Sequence, residues 1–175
     1  KQAFPQDAVS AAPGFYYGTS LAGKSVTPTS AIQVSAVYAC VRVIAETVAS
    51  LPLHVYEATD TDSRKAGEHP LYRLLHDEPN TEMTSFVWRE VMLSHLLLYG
   101  NSYCQILRSG RSGIMGLYPL LPDRMAVDRD SRGKLTYTYT TSDGKLAYLA
   151  PEDVLHIPGL GFDGVMGYSP IALEK

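Results

Sequence analysis

Cysteine, tryptophan and charge are all scarce in this chain. Its 175 residues include two cysteines, one tryptophan and 19% charged side chains. Cys40 and Cys104 lie in separate apolar stretches and form no Cys-x-x-Cys pair. A disulfide framework and a zinc site are therefore not expected, and buried free thiols are. A basic surplus is missing too: 15 Lys and Arg stand against 18 Asp and Glu, a formal net charge of −3. Without that surplus, tight binding of duplex DNA by charge alone is not expected. The longest apolar run, Val91 to Tyr99, is interrupted by Ser94 and His95 and falls short of the roughly 18 residues of a membrane span. Lys1 opens a polar stretch with no signal-peptide core. No GxxxxGK[ST] pattern occurs. Gly159 and Gly161 are spaced as a GxG, but Phe162 and Asp163 follow and the third glycine is misplaced, so a loop between sheet and helix is preferred to a nucleotide cradle.

What is present suits one compact domain. Hydrophobic residues make up 45% of the chain, enough for a real core. Residues 1–28, rich in Ala, Gly, Ser, Pro and Thr, read as an extended or disordered arm. Its cluster Phe15-Tyr16-Tyr17 is suited to docking on a neighbour or to packing locally. Val34, Val37, Tyr38, Val41, Ile44, Ala45 and Val48 recur at three- and four-residue steps, predicting an amphipathic helix. Ser30 or Ser35 is its expected cap, and Pro52 forbids its continuation. A strand over Leu51–Glu57 and a loop over Ala58–Gly67 follow. Pro70 opens a short helix that Glu78-Pro79-Asn80 ends. Thr84 or Ser85 caps a second long helix that stops at Gly100.

Strand signals then dominate. Asn101–Arg108 and Ile114–Leu121 flank a Gly-containing hairpin loop. Met125–Asp128, Leu135–Thr140, Leu146–Leu149 and Val154–Ile157 are shorter strands, with Asp143-Gly144 a tight turn. The expected fold class is α+β: two long amphipathic helices and a short one packed on an antiparallel β meander. Ser169 and Pro170 look like the cap and first residue of a helix that residues 169–175 only begin, so the chain is expected to continue further.

No candidate chemistry stands out. His156 with Asp153 could orient a base beside a cysteine, but nothing in the spacing demands a triad. His76 with Asp77 and Glu78 could hold a metal, although a solvated helix end explains them as well. His156 interrupts an apolar strand, so it is either on the outer face or buried and hydrogen-bonded, with a structural role expected. The 12 tyrosines fit an interface or the solvated face of a sheet, and both readings stay open.

An ordered set of motifs narrows the field. It runs through Ser35-Ala36-Val37-Tyr38-Ala39-Cys40-Val41-Arg42, Ala49-Ser50-Leu51-Pro52-Leu53, His69-Pro70-Leu71 and Glu78-Pro79-Asn80. It continues through Leu97-Leu98-Tyr99-Gly100-Asn101-Ser102-Tyr103, Tyr118-Pro119-Leu120, Pro122-Asp123-Arg124, Pro151 to Ile157, and Gly164-Val165-Met166-Gly167-Tyr168-Ser169-Pro170. In order and spacing, from about Thr29 to the end, the chain resembles the phage portal protein family in its HK ninety-seven-like branch. Tyr168 departs from the smaller or aliphatic residue expected there. The resemblance marks Tyr38, Pro52, Gly100, Asn101, His156, Gly167, Ser169 and Pro170 as structural motif positions, with no catalytic residue, cofactor or metal.

The resemblance implies a homo-oligomeric ring, typically of twelve subunits, at one vertex of a capsid. Such a ring surrounds a DNA channel, docks the terminase motor and later joins the head-tail connector. It belongs to the virion and assembles in the host cytoplasm, without membrane. Residues 29–168 would form a wing-like domain, and residues 169–175 would lead toward stem helices. Double-stranded DNA would pass without specific binding, which suits an acidic chain because each neutralised phosphate strengthens the grip. Two competing readings are a phage assembly or adaptor module without a channel, and a cysteine hydrolase using Cys40 or Cys104.

Overall fold

A computed structural model describes residues 26–59, 61–110, 113–161 and 164–173. Most of the stretch read as an arm, including Phe15-Tyr16-Tyr17, lies outside them. The architecture is α+β, as the sequence predicts. A short helix α1 (Pro28–Ala31) precedes the long helix α2 (Ser35–Ala49). A small hairpin, β1 (Tyr56–Ala58) and β2 (Ser63–Lys65), leads to α3 (Pro70–His76) and α4 (Ser85–Tyr99). Strands β3 (Asn101–Ser109), β4 (Gly113–Leu120), β5 (Met125–Arg129), β6 (Leu135–Thr140), β7 (Leu146–Leu149) and β8 (Val154–Pro158) follow, and α5 (Pro170–Leu173) comes last.

The strands form two three-stranded antiparallel sheets, ordered β4-β3-β8 and β5-β6-β7, rather than one meander. The chain leaves the first sheet after β4, builds the second, and returns so that β8 pairs with β3, bringing Tyr103 opposite His156. The first sheet is the middle layer. Trp88 and Met92 of α4 pack on Cys104 and Leu117 on one side. Tyr103, Leu120 and Val154 meet Met125, Val127 and Tyr137 of the second sheet on the other. Residues Asn101 to Cys104 are all buried for that reason: both faces of β3 are covered. Ser102, buried on the helix side, donates its hydroxyl to the Met92 sulfur at 3.3 Å.

Helix ends show how local chemistry sets the boundaries. Thr84 caps α4 by accepting from the Val87 N–H, and Gly100 ends it in the left-handed region at φ 75°. His69 accepts from the Leu71 N–H at the start of α3. Arg89 on α4 reaches the last carbonyls of two helices, donating to Ala49 O at 3.0 and 2.8 Å and to Leu75 O at 3.2 Å. A cation at these C-terminal carbonyls satisfies them and complements the helix dipoles. Asn80, buried after α3, donates to Leu117 O at 2.7 Å and ties that turn to β4.

Three readings of the front half need correction, and the burial of α2 adds a finding. Neither Ser30 nor Ser35 caps α2: Val34 occupies the cap position without a side-chain bond, and Ser35 is the first helical residue. Ser30 instead closes a reciprocal capping box with Thr27 that builds α1, whose first residue Pro28 falls within the stretch read as an arm. The strand expected over Leu51–Glu57 reduces to Tyr56–Ala58, because the residues after Pro52 find no partner strand until β2. The apolar stripe of α2 is not buried along its length: only Ala45 and Ala49 are buried, where the helix meets the core, whereas Ile44 and Val48 stay exposed.

Candidate functional site

The motif positions of the second half meet at one place, the junction where α4 passes into β3. The α4 helix must stop there so that β3 can turn into the sheet. The left-handed turn at Gly100 does this, and a Cβ on Gly100 would overlap the Tyr168 carbonyl group. The segment after β8 is thus pressed directly on the turn. Gly167 is equally close: a Cβ there would overlap the Gly100 carbonyl oxygen and the Gly159 backbone. The Gly159 N–H also donates to that Gly100 carbonyl at 2.8 Å.

Asn101 holds this contact together. Its Nδ2 donates to Gly167 O at 2.8 Å, and its Oδ1 accepts the Gly167 N–H at 2.9 Å. Its side chain therefore replaces a pair of ladder hydrogen bonds for a residue 66 positions away. The same Oδ1 lies 3.0 Å from His156 Nε2. Because Oδ1 can only accept, the neutral imidazole carries its proton on Nε2. Nδ1 is left to face the Tyr137 hydroxyl at 3.4 Å. Tyr103 stacks on the His156 ring with centroids 4.5 Å apart. Burial pushes the His156 pKa down to about 4, so the ring is neutral near pH 7.

Ser169 completes the junction. Its hydroxyl donates to Leu98 O at 2.8 Å, satisfying a carbonyl in the last turn of α4, and its oxygen accepts the Ala172 N–H of α5. Pro170 then opens α5. The arrangement fixes where α5 leaves the body. Tyr38 and Pro52 are not part of it: Tyr38 is exposed on α2, and Pro52 follows the end of that helix.

The catalytic possibilities are not assembled. Asp153 pairs with Arg108 at 3.0 Å rather than with His156. Cys104 is buried, and burial pushes its thiol up to about 12, the reverse of an activated nucleophile. Cys40 is exposed on α2, which corrects the expectation that both thiols are buried. His76 contacts Asp77 at 2.7 Å, while Glu78 turns to Arg73 at 2.9 Å, so the trio does not converge on one point. Among the described residues, no group of three His, Cys, Asp or Glu could hold a metal ion, and no helix is long and apolar enough to cross a membrane.

The structure brings together Gly100, Asn101, His156, Gly167, Ser169 and Pro170, which the sequence reading singled out, and adds Tyr103 and Tyr137, the two rings around His156, to which that reading gave no role there. Their signal was faint, because tyrosine in an antiparallel sheet is ordinary.

Residues 35–175 match the family described as phage portal protein. The chain is 36% identical over 154 residues to the portal protein of Enterobacteria phage HK97, covering 87% of this chain and 36% of that one. It is 37% identical over 166 residues to the probable portal protein of Streptomyces phage phiC31, covering 87% of this chain and 35% of that one. The chain thus spans about a third of the length of these two relatives. Among solved structures, the neck of an empty GTA particle, computed with C6 symmetry, contains a chain of similar fold. The TM-score is 0.72 at 25% identity, with 83% of this chain and 41% of that one covered. With residues 35–175 matching the family and a relative 36% identical over 87% of this chain's length, the chain belongs to the phage portal protein family.

Proposed function

We propose that this chain is the wing-like part of a portal subunit, a structural piece of the ring through which phage DNA enters and leaves the capsid. The observation that carries this reading is the Gly100-Asn101-Gly167-Ser169 junction within a chain of the portal family. The junction does no chemistry. It fixes the direction in which α5 departs, and a ring needs that fixed because every subunit must project its next element at one angle toward a common axis.

In this reading residues 29–168 are the wing-like domain and residues 169–175 lead toward stem helices that line the channel. The ring has twelve subunits, docks the terminase motor on its outer end, and later receives the head-tail connector. Double-stranded DNA passes without specific binding, consistent with a net charge of −3. The ring is part of the virion and assembles in the host cytoplasm. The protein is not an enzyme, and packaging energy is supplied by the motor.

Sedimentation or native mass measurement of the full-length gene product tests the reading. A closed oligomer, of twelve copies on this account, is the expected species. A product that stays monomeric at high concentration in the presence of its capsid protein removes the ring reading and favours an adaptor.

A further inference from the structure

The hairpin of β1 and β2 buries none of its strand residues: all six are exposed. A lone two-stranded hairpin is at best marginally stable in water, so this one depends on what anchors its base. Three nearly parallel rings lie there. His54, just before β1, meets Tyr72 and His76, which stand four residues apart on one face of α3. The His54 and His76 centroids are 4.9 Å apart with the rings 19° from parallel. Tyr72 and His76 are 4.9 Å apart at 17°, and His54 and Tyr72 6.1 Å apart at 12°. The Tyr72 hydroxyl lies 3.2 Å from His54 Nδ1. Lys65, the last residue of β2, holds its ammonium 5.2 Å from the centre of the Tyr72 ring. The chain on both sides of the hairpin is therefore fastened to α3 at one point.

We propose that these rings form an acid-released latch, which holds the hairpin against α3 near neutral pH and frees it when His54 and His76 both carry a proton. With His54 neutral, the Tyr72 hydroxyl donates to its Nδ1 and the rings pack without net charge. The groups that face the two histidines are unequal. Asp77, at the end of α3, lies 2.7 Å from His76 Nδ1 and meets a charge there. His54 instead faces Lys65 of β2 and His76 of α3, with Tyr56 of β1 edge-on. The nearby Arg64–Glu57 and Arg73–Glu78 pairs are each neutral as a unit. Arg89 of α4 is held on the Ala49 and Leu75 carbonyls. A proton on His54 thus enters between two cations and removes the acceptor of the Tyr72 hydroxyl. Partial loss of hydration, then Lys65, then His76, hold His54 below the ordinary histidine value. In the freed hairpin His54 returns to that value, so the free form binds more protons. The latch is fully closed above about pH 6.5 and weakens as pH falls below it. It lies within one subunit and stands apart from the ring reading.

Amide hydrogen exchange of the 175-residue chain tests the latch, with rates corrected for the intrinsic effect of pH and the β3 amides as the fold control. Protection of the β1 and β2 amides is expected to fall at least about threefold between pH 7.5 and 5, beyond any fall at β3. In His54→Phe, which keeps a ring and takes no proton, the fall is expected to vanish. In the unsubstituted chain the fall should share its midpoint with the titration of the His54 Cε1 proton, read by NMR. Hairpin protection that acid leaves unchanged overturns the inference. An equal fall in His54→Phe, or a midpoint that follows the β3 amides, also overturns it, because general loosening of the body is then the cause.

Discussion

Asn101 and Gly167 exchange two hydrogen bonds, 2.8 and 2.9 Å long, across 66 residues of sequence. One side chain closes the loop between β8 and α5 onto the end of α4. Asn101 is 2% exposed, so its partners have no water to turn to if it is removed.

Asn101→Ala leaves the Gly167 N–H and C=O and the His156 Nε2–H without their partner. Each unsatisfied buried polar group costs about 1–3 kcal/mol. A loss of at least about 3 kcal/mol is expected, read as a lower urea midpoint at unchanged slope. Asn101→Asp fares no better, because it loses the donor to Gly167 O and places a carboxylate in a buried site.

Gly100→Ala and Gly144→Ala separate backbone strain from contact. Both glycines have positive φ, 75° and 79°, but a Cβ on Gly144 meets nothing while one on Gly100 overlaps Tyr168. The Gly144 variant is expected to lose about 1–2 kcal/mol from the left-handed conformation alone. The Gly100 variant loses that and displaces the segment leading to α5. Thermal unfolding of both, with hydrogen exchange of residues 164–173, reads the difference, and only Gly100→Ala speeds exchange there.

The two helix ends at this junction, Gly100 and Ser169, were legible in the sequence, as was the extent of α2, but what covers the apolar face of α2 was not. Gly100, Asn101, Gly167 and Ser169 answer to backbone needs that few residue types meet: a left-handed turn, a close approach, a side chain that donates and accepts together. The stripe Val34-Val37-Val41-Ile44-Val48 says only that one face of a helix is apolar. Whether core, neighbour or tail covers that face is not encoded in its period, and the structure leaves most of it outside the core. The split into two sheets was hidden similarly, because each strand has the same alternation whichever sheet it joins. Only the return of β8 to β3 reveals it.

Acid should loosen the body. Burial holds His156 and His95 at about 4 in the folded chain, below the ordinary histidine value of about 6.5. Between these values the unfolded chain binds more protons than the folded one, so stability rises with pH there. The contribution is fully present above about pH 6.5 and is lost as pH falls toward 4. Urea midpoints at pH 7.5, 6 and 5 should decline in that order. His156→Gln should flatten the decline while retaining a donor for Asn101.

Cys104 should resist thiol reagents until the chain unfolds. Its thiol is buried against Trp88 and Met92 and is held mostly protonated, its pKa pushed up to about 12. Native labelling of Cys104 at the rate of a free thiol would revive the hydrolase reading. Labelling that tracks the unfolding curve agrees with a core position.

Electron microscopy of the full-length gene product tests the central claim most directly. The account predicts closed rings with a central hole, in which this region sits outside the channel wall and each copy sends α5 inward at one angle. Particles without a hole, or rings in which this region lines the channel itself, would contradict it.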